Sequence, residues 1–311
     1  MRQITKYLKM INPFNNMEEM PKTIYLMKKL LAFLLIYVAT NILQQGVLMA
    51  GFYAGGYDPV QGMMPAEHIQ MVMMYYAFAI YILLTFLYCK FIEKRSLKSI
   101  GFNKVLPDYM YGTAISVMLL TMIISICCVT DTIHFNGVNK DTDFVYIFAL
   151  LGGLVVQGAA EEIMGRGFLM TSLLKKMSVP TAIFWSATAF AFPHFFSLFT
   201  ADFKYALLGV INLYLVSAIF SLLMLYKKNI WIACGLHSVW NFLLYGVFGL
   251  TLSGNEAGTT GILKFALKES NIINGGSYGV ESSIITTVVL GVTVVILIKL
   301  WNKKGEKYYG I

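Results

Sequence analysis

The chain has 311 residues, of which 58% are hydrophobic and 13% charged, and a mean hydropathy of +0.67. A water-soluble domain carries about 25% charged residues, so this composition excludes one and points to a polytopic membrane protein. The net charge of +8 is not a nucleic-acid footprint, because the basic residues form short clusters between apolar runs, where they mark cytoplasmic loops.

Residues 1–29 carry Ile4, Tyr7, Leu8 and Ile11 at helical spacing among Arg2, Lys6 and Lys9. This predicts a cytoplasmic amphipathic helix lying on the inner membrane surface. The first long apolar run starts too late and continues too far for a cleaved signal peptide. Apolar segments long enough to span follow at 30–52, 69–92, 109–130, 144–174, 179–199, 205–226, 229–249 and 282–301, by the criterion of about 20 residues per crossing.

Loop charges order these segments. Lys28 and Lys29 precede the first, and Lys90, Lys94, Arg95, Lys98 and Lys104 follow the second. Lys175 and Lys176 follow the fourth, Lys227 and Lys228 the sixth, and Lys299, Lys303, Lys304 and Lys307 the eighth. The alternate loops hold Asp58 and Glu67, then Asp131, Lys140, Asp141 and Asp143, then Asp202 and Lys204. The last of them, about 250–281, is Gly- and Asn-rich with Lys264 and Lys268. The expected fold is therefore an all-α transmembrane bundle of about eight spans with both termini cytoplasmic. Residues 30–301 read as one membrane domain, with the polar core at about 144–249 and a short basic tail at 302–311. Cys89, Cys127, Cys128 and Cys234 lack metal-ligand spacing and are expected as buried thiols.

The polar residues inside the apolar runs carry the functional signal, since ionisable groups at bilayer depth are costly. The stretch Gly158–Thr171, GAAEEIMGRGFLMT, holds Glu161 and Glu162 with Arg166 following. On a helix Glu162 and Arg166 are i,i+4 neighbours that can pair, while Glu161 points roughly 100° away and is free for another task. Small residues Gly158, Ala159, Ala160 and Gly165 would let neighbouring helices approach and leave room for a peptide.

FAFPH places Phe190 four residues before His194, and Pro193 should loosen that helix. GLHSVWN places Asn241 four residues after His237 on the same face. Counting 1.5 Å per residue from the lysine-marked ends puts Glu161 roughly 20 Å deep, His194 roughly 22 Å, His237 roughly 12 Å and Asn241 roughly 18 Å. One polar cavity is expected. A carboxylate beside a second carboxylate in a low-dielectric site can act as general base near neutrality, an imidazole can help orient water, and a His–Asn pair offers donors to an oxyanion. Together these suit attack of water on an acyl carbon.

Glu161-Glu162-x-x-x-Arg166, Phe190-x-x-x-His194 and His237-x-x-x-Asn241, in this order on consecutive helices, resemble the three motifs of the CAAX-protease and bacteriocin-processing family. These are intramembrane glutamic endopeptidases related to type II CAAX prenyl endopeptidases. The resemblance covers about 150–245. It implies Glu161 and His194 as water activators, Glu162 and Arg166 as support, and His237 with Asn241 as the oxyanion site. It favours metal-free catalysis without a cofactor, although Glu and His are competent zinc ligands and a zinc-dependent variant is the alternative. Gly165 departs from relatives that carry a bulky aromatic there, which would widen the pocket.

The implied partners are the lipid bilayer and a peptide or membrane-anchored protein substrate, such as a peptide pheromone or bacteriocin precursor; a prenylated substrate fits less well. The implied location is a bacterial cell membrane, with the active site reached from the cytoplasmic side. A catalytically idle immunity or scaffolding protein is the competing reading, yet an idle member would be expected to lose Glu161 or His194. A transporter would need paired halves, which the sequence lacks.

Overall fold

The structure, a computed structural model, describes residues 2–103, 105–255 and 261–303. Lys104 and the tail beyond residue 303 lie outside the described residues. Every predicted apolar segment is helical. In chain order the elements are α1 (Arg2–Ile11), α2 (Lys22–Ala54), α3 (Glu67–Ile92, interrupted at Phe78) and α4 (Val105–Val129). There follow β1 (Ile133–Val138), α5 (Phe144–Leu173), α6 (Val179–Ala191) and α7 (Phe203–Lys227). The chain closes with α8 (Trp231–Asn241), β2 (Leu263–Leu267) and α9 (Ile284–Lys303).

Among the described residues six helices are long and apolar enough to cross a membrane. The segments expected at 179–199 and 229–249 are shorter. α6 stops at Ala191, two residues before Pro193, and the chain continues in turns through His194. This is what a residue without a backbone N–H does to a helix. α8 has 11 residues and runs into a π-helical stretch, Phe242–Val247. A second π-helical stretch, Ile163–Met170, lies inside α5 directly after the two glutamates.

Polar contacts gather alternate helix ends on one side. Glu93, just past α3, pairs with Lys29 of α2 and lies 3.1 Å from Arg95, which donates to Thr171 and Ser172 of α5. Lys175 pairs with Glu18 at 2.6 Å, and Ile230 N–H donates to the Gly101 carbonyl at 2.9 Å. The opposite side holds the antiparallel β1–β2 pair and the Lys268–Asp131 ion pair. The lysine-marked ends therefore share one face, as the loop charges predict.

The apolar core is correspondingly split. One cluster, with Phe33, Ile100, Phe168, Leu169 and Leu225, lies toward the lysine-marked ends. The other, with Leu120, Leu150, Phe220, Leu236 and Trp240, fills the opposite half. Along α5 the membership changes between Leu154 and Ala159, so the glutamates fall at the boundary. α8 is pressed against α4 at Gly235, where a β-carbon would collide with the Tyr109 carbonyl. Such close backbone approach is how small residues pack helices in lipid, where the hydrophobic effect between helices is absent. The free thiols Cys89, Cys127 and Cys234 are buried and Cys128 is half-buried.

Candidate active site

α5 begins at Asp143, whose carboxylate caps it by accepting from the backbone N–H groups of Val145 and Tyr146 at 2.9 and 3.1 Å. Fourteen and eighteen residues on, its polar face presents Gln157 and Glu161 to a cavity, and it turns Glu162 and Arg166 into the protein. Glu162 and Arg166 are fully buried and paired at 3.0 Å, as the i,i+4 spacing predicts. The Arg166 guanidinium also donates to Ser217 at 2.6 Å and lies over the rings of Phe190 and Phe220, 4.5 and 5.1 Å from their centroids. A buried cation thus has a carboxylate, a hydroxyl and two aromatic faces, which together offset its lost hydration.

His237 reaches across from α8. Its Nδ1 lies 3.0 Å from Oε1 of Glu162, the same oxygen that takes Arg166. A carboxylate accepts, so Nδ1 carries the hydrogen and the ring is held with Nε2 toward the cavity, 3.8 Å from Oε2 of Glu161. Phe220 stacks on this imidazole at 5.1 Å between centroids. Ser238, the next residue, occupies space that α5 opens at Gly158; a β-carbon there would stand 2.5 Å from its hydroxyl oxygen.

The contact of His237 with both glutamates corrects the depth count, which set it well below Glu161. The count assumed a regular α-helix on both sides, but the π-helical stretch Ile163–Met170 lies between the glutamates and the lysine-marked end of α5, so 1.5 Å per residue does not carry across it.

Asn241 does not stand apart with His237. Its Nδ2 donates at 2.9 Å to Gln157 Oε1, and Gln157 Nε2 donates at 2.6 Å to Glu161 Oε1. One amide hydrogen of Asn241 remains for another acceptor. Gln157 is a residue that sequence reasoning missed, although its position four before Glu161 places it on the same helical face. His194, on the turn after α6, lines the same cavity beside Phe190, 5.3 Å between ring centroids.

The cavity, about 280 Å³, brings Gln157, Glu161, His194, His237 and Asn241 together, with Glu162 and Arg166 beneath its floor. Its other walls come from α3, α7, the start of α9, and the segment between α8 and α9, including Ser253, Tyr278 and Glu281. Glu281 and Ser253 also escaped the sequence reading, since an irregular connection has no periodicity to reveal them. Most lining positions on α3, α6, α7 and α9 fall in the half of the bundle away from the lysine-marked ends, with Phe78 packed against the lysine-side cluster. Gly165 is absent from the lining; its carbonyl accepts from Ser186 at 2.9 Å, and it does not widen the pocket.

Among the described residues no three His, Cys, Asp or Glu side chains are grouped as a metal site requires. Glu162 is committed to Arg166 and His237, a cation beside it that would oppose a divalent metal.

Residues 143–243 match the family model described as type II CAAX prenyl endopeptidase Rce1-like. No curated protein matches the chain. The matched segment runs from the cap of α5 to just past Asn241, and so contains all three motifs and the helices that bring them together. The match spans about a third of the chain, and over that segment the chain is similar to the type II CAAX prenyl endopeptidases.

Proposed function

We propose that the protein is an intramembrane endopeptidase that hydrolyses a peptide bond of a membrane-associated peptide or protein. The observation that carries this reading is the convergence of Glu161 of α5, His194 just after α6, and His237 and Asn241 of α8 on one cavity. In this reading Glu161 takes a proton from a water oriented with His194, and the water oxygen attacks the scissile carbonyl carbon. The π pair of the carbonyl moves onto its oxygen, and that oxyanion is held by the free amide hydrogen of Asn241 and by His237 in its imidazolium form, whose Nε2–H faces the cavity while Nδ1–H stays on Glu162. Collapse expels the amine, which takes the proton from Glu161. Gln157 orients Glu161 and Asn241 relative to each other, and Glu162 fixes the ring of His237.

The protein in this reading is a multi-pass protein of a bacterial cell membrane, with eight crossings, both termini cytoplasmic, and α6 and α8 as two short crossings completed by turns and π-helix. Substrate reaches the cavity from the side opposite the lysine clusters, because the cavity lies in that half of the bundle. Comparative peptidomics of cells carrying wild-type protein or Glu161→Gln tests the activity. Products that vanish in the variant at equal protein level support it; identical peptide profiles would overturn it in favour of an immunity or scaffolding role.

A further inference from the structure

Glu281 stands in the cavity wall just before α9, outside the segment that matches the family. Its carboxylate accepts from the Trp240 indole N–H at 3.2 Å through Oε1, and from the Ser253 backbone N–H at 2.6 Å and hydroxyl at 3.3 Å through Oε2. Indole and backbone N–H groups can only donate, so both oxygens of Glu281 act as acceptors. Its backbone is fixed too: Asn212 Nδ2 donates to the carbonyls of Glu281 and Ser283 at 2.8 and 3.1 Å. Among the described residues Glu281 makes no ion pair, and neither lysine nor arginine lines the cavity.

A half-buried carboxylate with only neutral donors still lacks a counter-charge, and a carboxylate has about four lone-pair directions, of which three are used here. The cavity around it is aromatic, with Tyr75, Phe78, Trp240 and Tyr278 in the lining. Carboxylate and ring faces together are what a cation seeks in a desolvated site. We infer that Glu281 is a specificity-determining residue, an acidic subsite that selects substrate peptides carrying a lysine or arginine side chain near the bond to be cut. The inference rests on the endopeptidase reading for the fate of the peptide, but not for its recognition. The plainer role, pinning the 252–255 turn onto α8, needs the hydrogen bonds and makes no use of the charge.

Binding and cleavage separate these roles. Full-length protein in detergent is offered labelled apolar peptides of about 20 residues that differ at one scanned position, where lysine, norleucine or glutamate is placed. Binding is read by anisotropy on the Glu161→Gln background and cleavage by mass spectrometry on the wild-type background. At one position the lysine peptide should bind at least about tenfold tighter than its norleucine counterpart, and the glutamate peptide more weakly than either. Adding Glu281→Gln should bring the lysine-to-norleucine ratio close to one and leave norleucine binding where it was.

Equal binding of lysine and norleucine peptides at every position, binding of none of them, or a lysine preference that survives Glu281→Gln, would overturn the inference. Should Glu281→Gln fail to fold, Ser253→Ala keeps the carboxylate; the lysine preference must persist in it, and its loss would mean that the turn rather than the charge selects. Charge-selective binding without cleavage leaves the subsite standing and removes the protease reading. Cleavage indifferent to charge does the reverse.

Discussion

His237 and Glu162 face each other across two helices at 3.0 Å, and the glutamate oxygen that holds the imidazole is the one that neutralises Arg166. The second glutamate of the pair is therefore a structural hub, and the first, with only Gln157 within hydrogen-bond distance among the described residues, is left to act on what enters the cavity. Glu162→Gln should leave Arg166 as an uncompensated buried cation and cost about 3–5 kcal/mol. Glu161→Gln should keep nearly all folded protein and lose cleavage. Melting temperature and product formation, measured on both variants, check the division; matching behaviour in both assays would refute it.

Gln157 should behave as a positioning residue. Gln157→Leu removes both of its hydrogen bonds while filling the same volume, so the fold should persist. Cleavage should fall about 10–100-fold through kcat more than KM, as expected when a reacting group is misplaced by a fraction of an ångström. Gln157→Glu, which can still accept from Asn241 but repels Glu161, should not restore the rate.

Two glycines seven residues apart on α5 should respond oppositely to the same change. Gly158→Ala drives a methyl group into Ser238, so α8 must move and carry His237 with it, at about 1–3 kcal/mol. At Gly165 a β-carbon meets only the Ser186 hydroxyl oxygen at 3.9 Å. Gly165→Ala should be neutral or gain about 0.5–1 kcal/mol from reduced backbone freedom in the unfolded chain. Thermal unfolding of the two variants side by side is sufficient.

Acid should loosen the lysine-side anchor before the rest. Burial acts to raise the pKa of Glu93, but the Lys29 ammonium and Arg95 guanidinium beside it outweigh that and hold it below its ordinary value. A carboxylate with a depressed folded pKa contributes stability that is fully present above its unfolded pKa of about 4.3 and is lost as pH falls through the folded value. The melting temperature of the wild type should therefore decline on acidification below about pH 4.3, and Glu93→Gln should start lower and show a shallower decline over that range.

Chelation provides the test of the metal alternative. Activity of purified protein should survive exhaustive dialysis against a chelator, and no stoichiometric zinc should be found by elemental analysis. Loss of activity with recovery at one zinc per chain would instead require a ligand set that Glu162, engaged by Arg166 and His237, could not complete.

What the sequence made legible is what helical geometry encodes. The Glu162–Arg166 pair and the shared faces of Phe190 with His194 and of His237 with Asn241 all follow from a period of 3.6 residues. The alternation of helix ends followed from lysine placement. Depth was legible only along regular α-helix, and the count misplaced His237 relative to Glu161 because the π-helical stretch Ile163–Met170 interrupts α5. Glu281 and Ser253 were invisible because their place in the wall depends on an irregular connection whose path is set by Asn212, Asn274 and the β1–β2 pair. Gln157 could have been read from its spacing to Glu161, but a lone amide in an apolar helix carries no charge to draw attention.

The π-helical stretch Ile163–Met170 divides α5 into two lengths with separate angular phases. Each wide turn accommodates part of an extra residue, so the face presented above it no longer dictates the face presented below. The upper length is indexed to the cavity by Gln157 and Glu161, and the lower to the lysine-side anchor, where Thr171 and Ser172 accept from Arg95. Deleting one residue between Gly167 and Met170 would rotate everything beyond by about 100° and swing those hydroxyls off Arg95, while Glu161, Glu162 and Arg166 kept their neighbours. The helix works as a coupling with its own gearing, and a length change of a single residue there would uncouple chemistry from anchorage more cleanly than any substitution within either half.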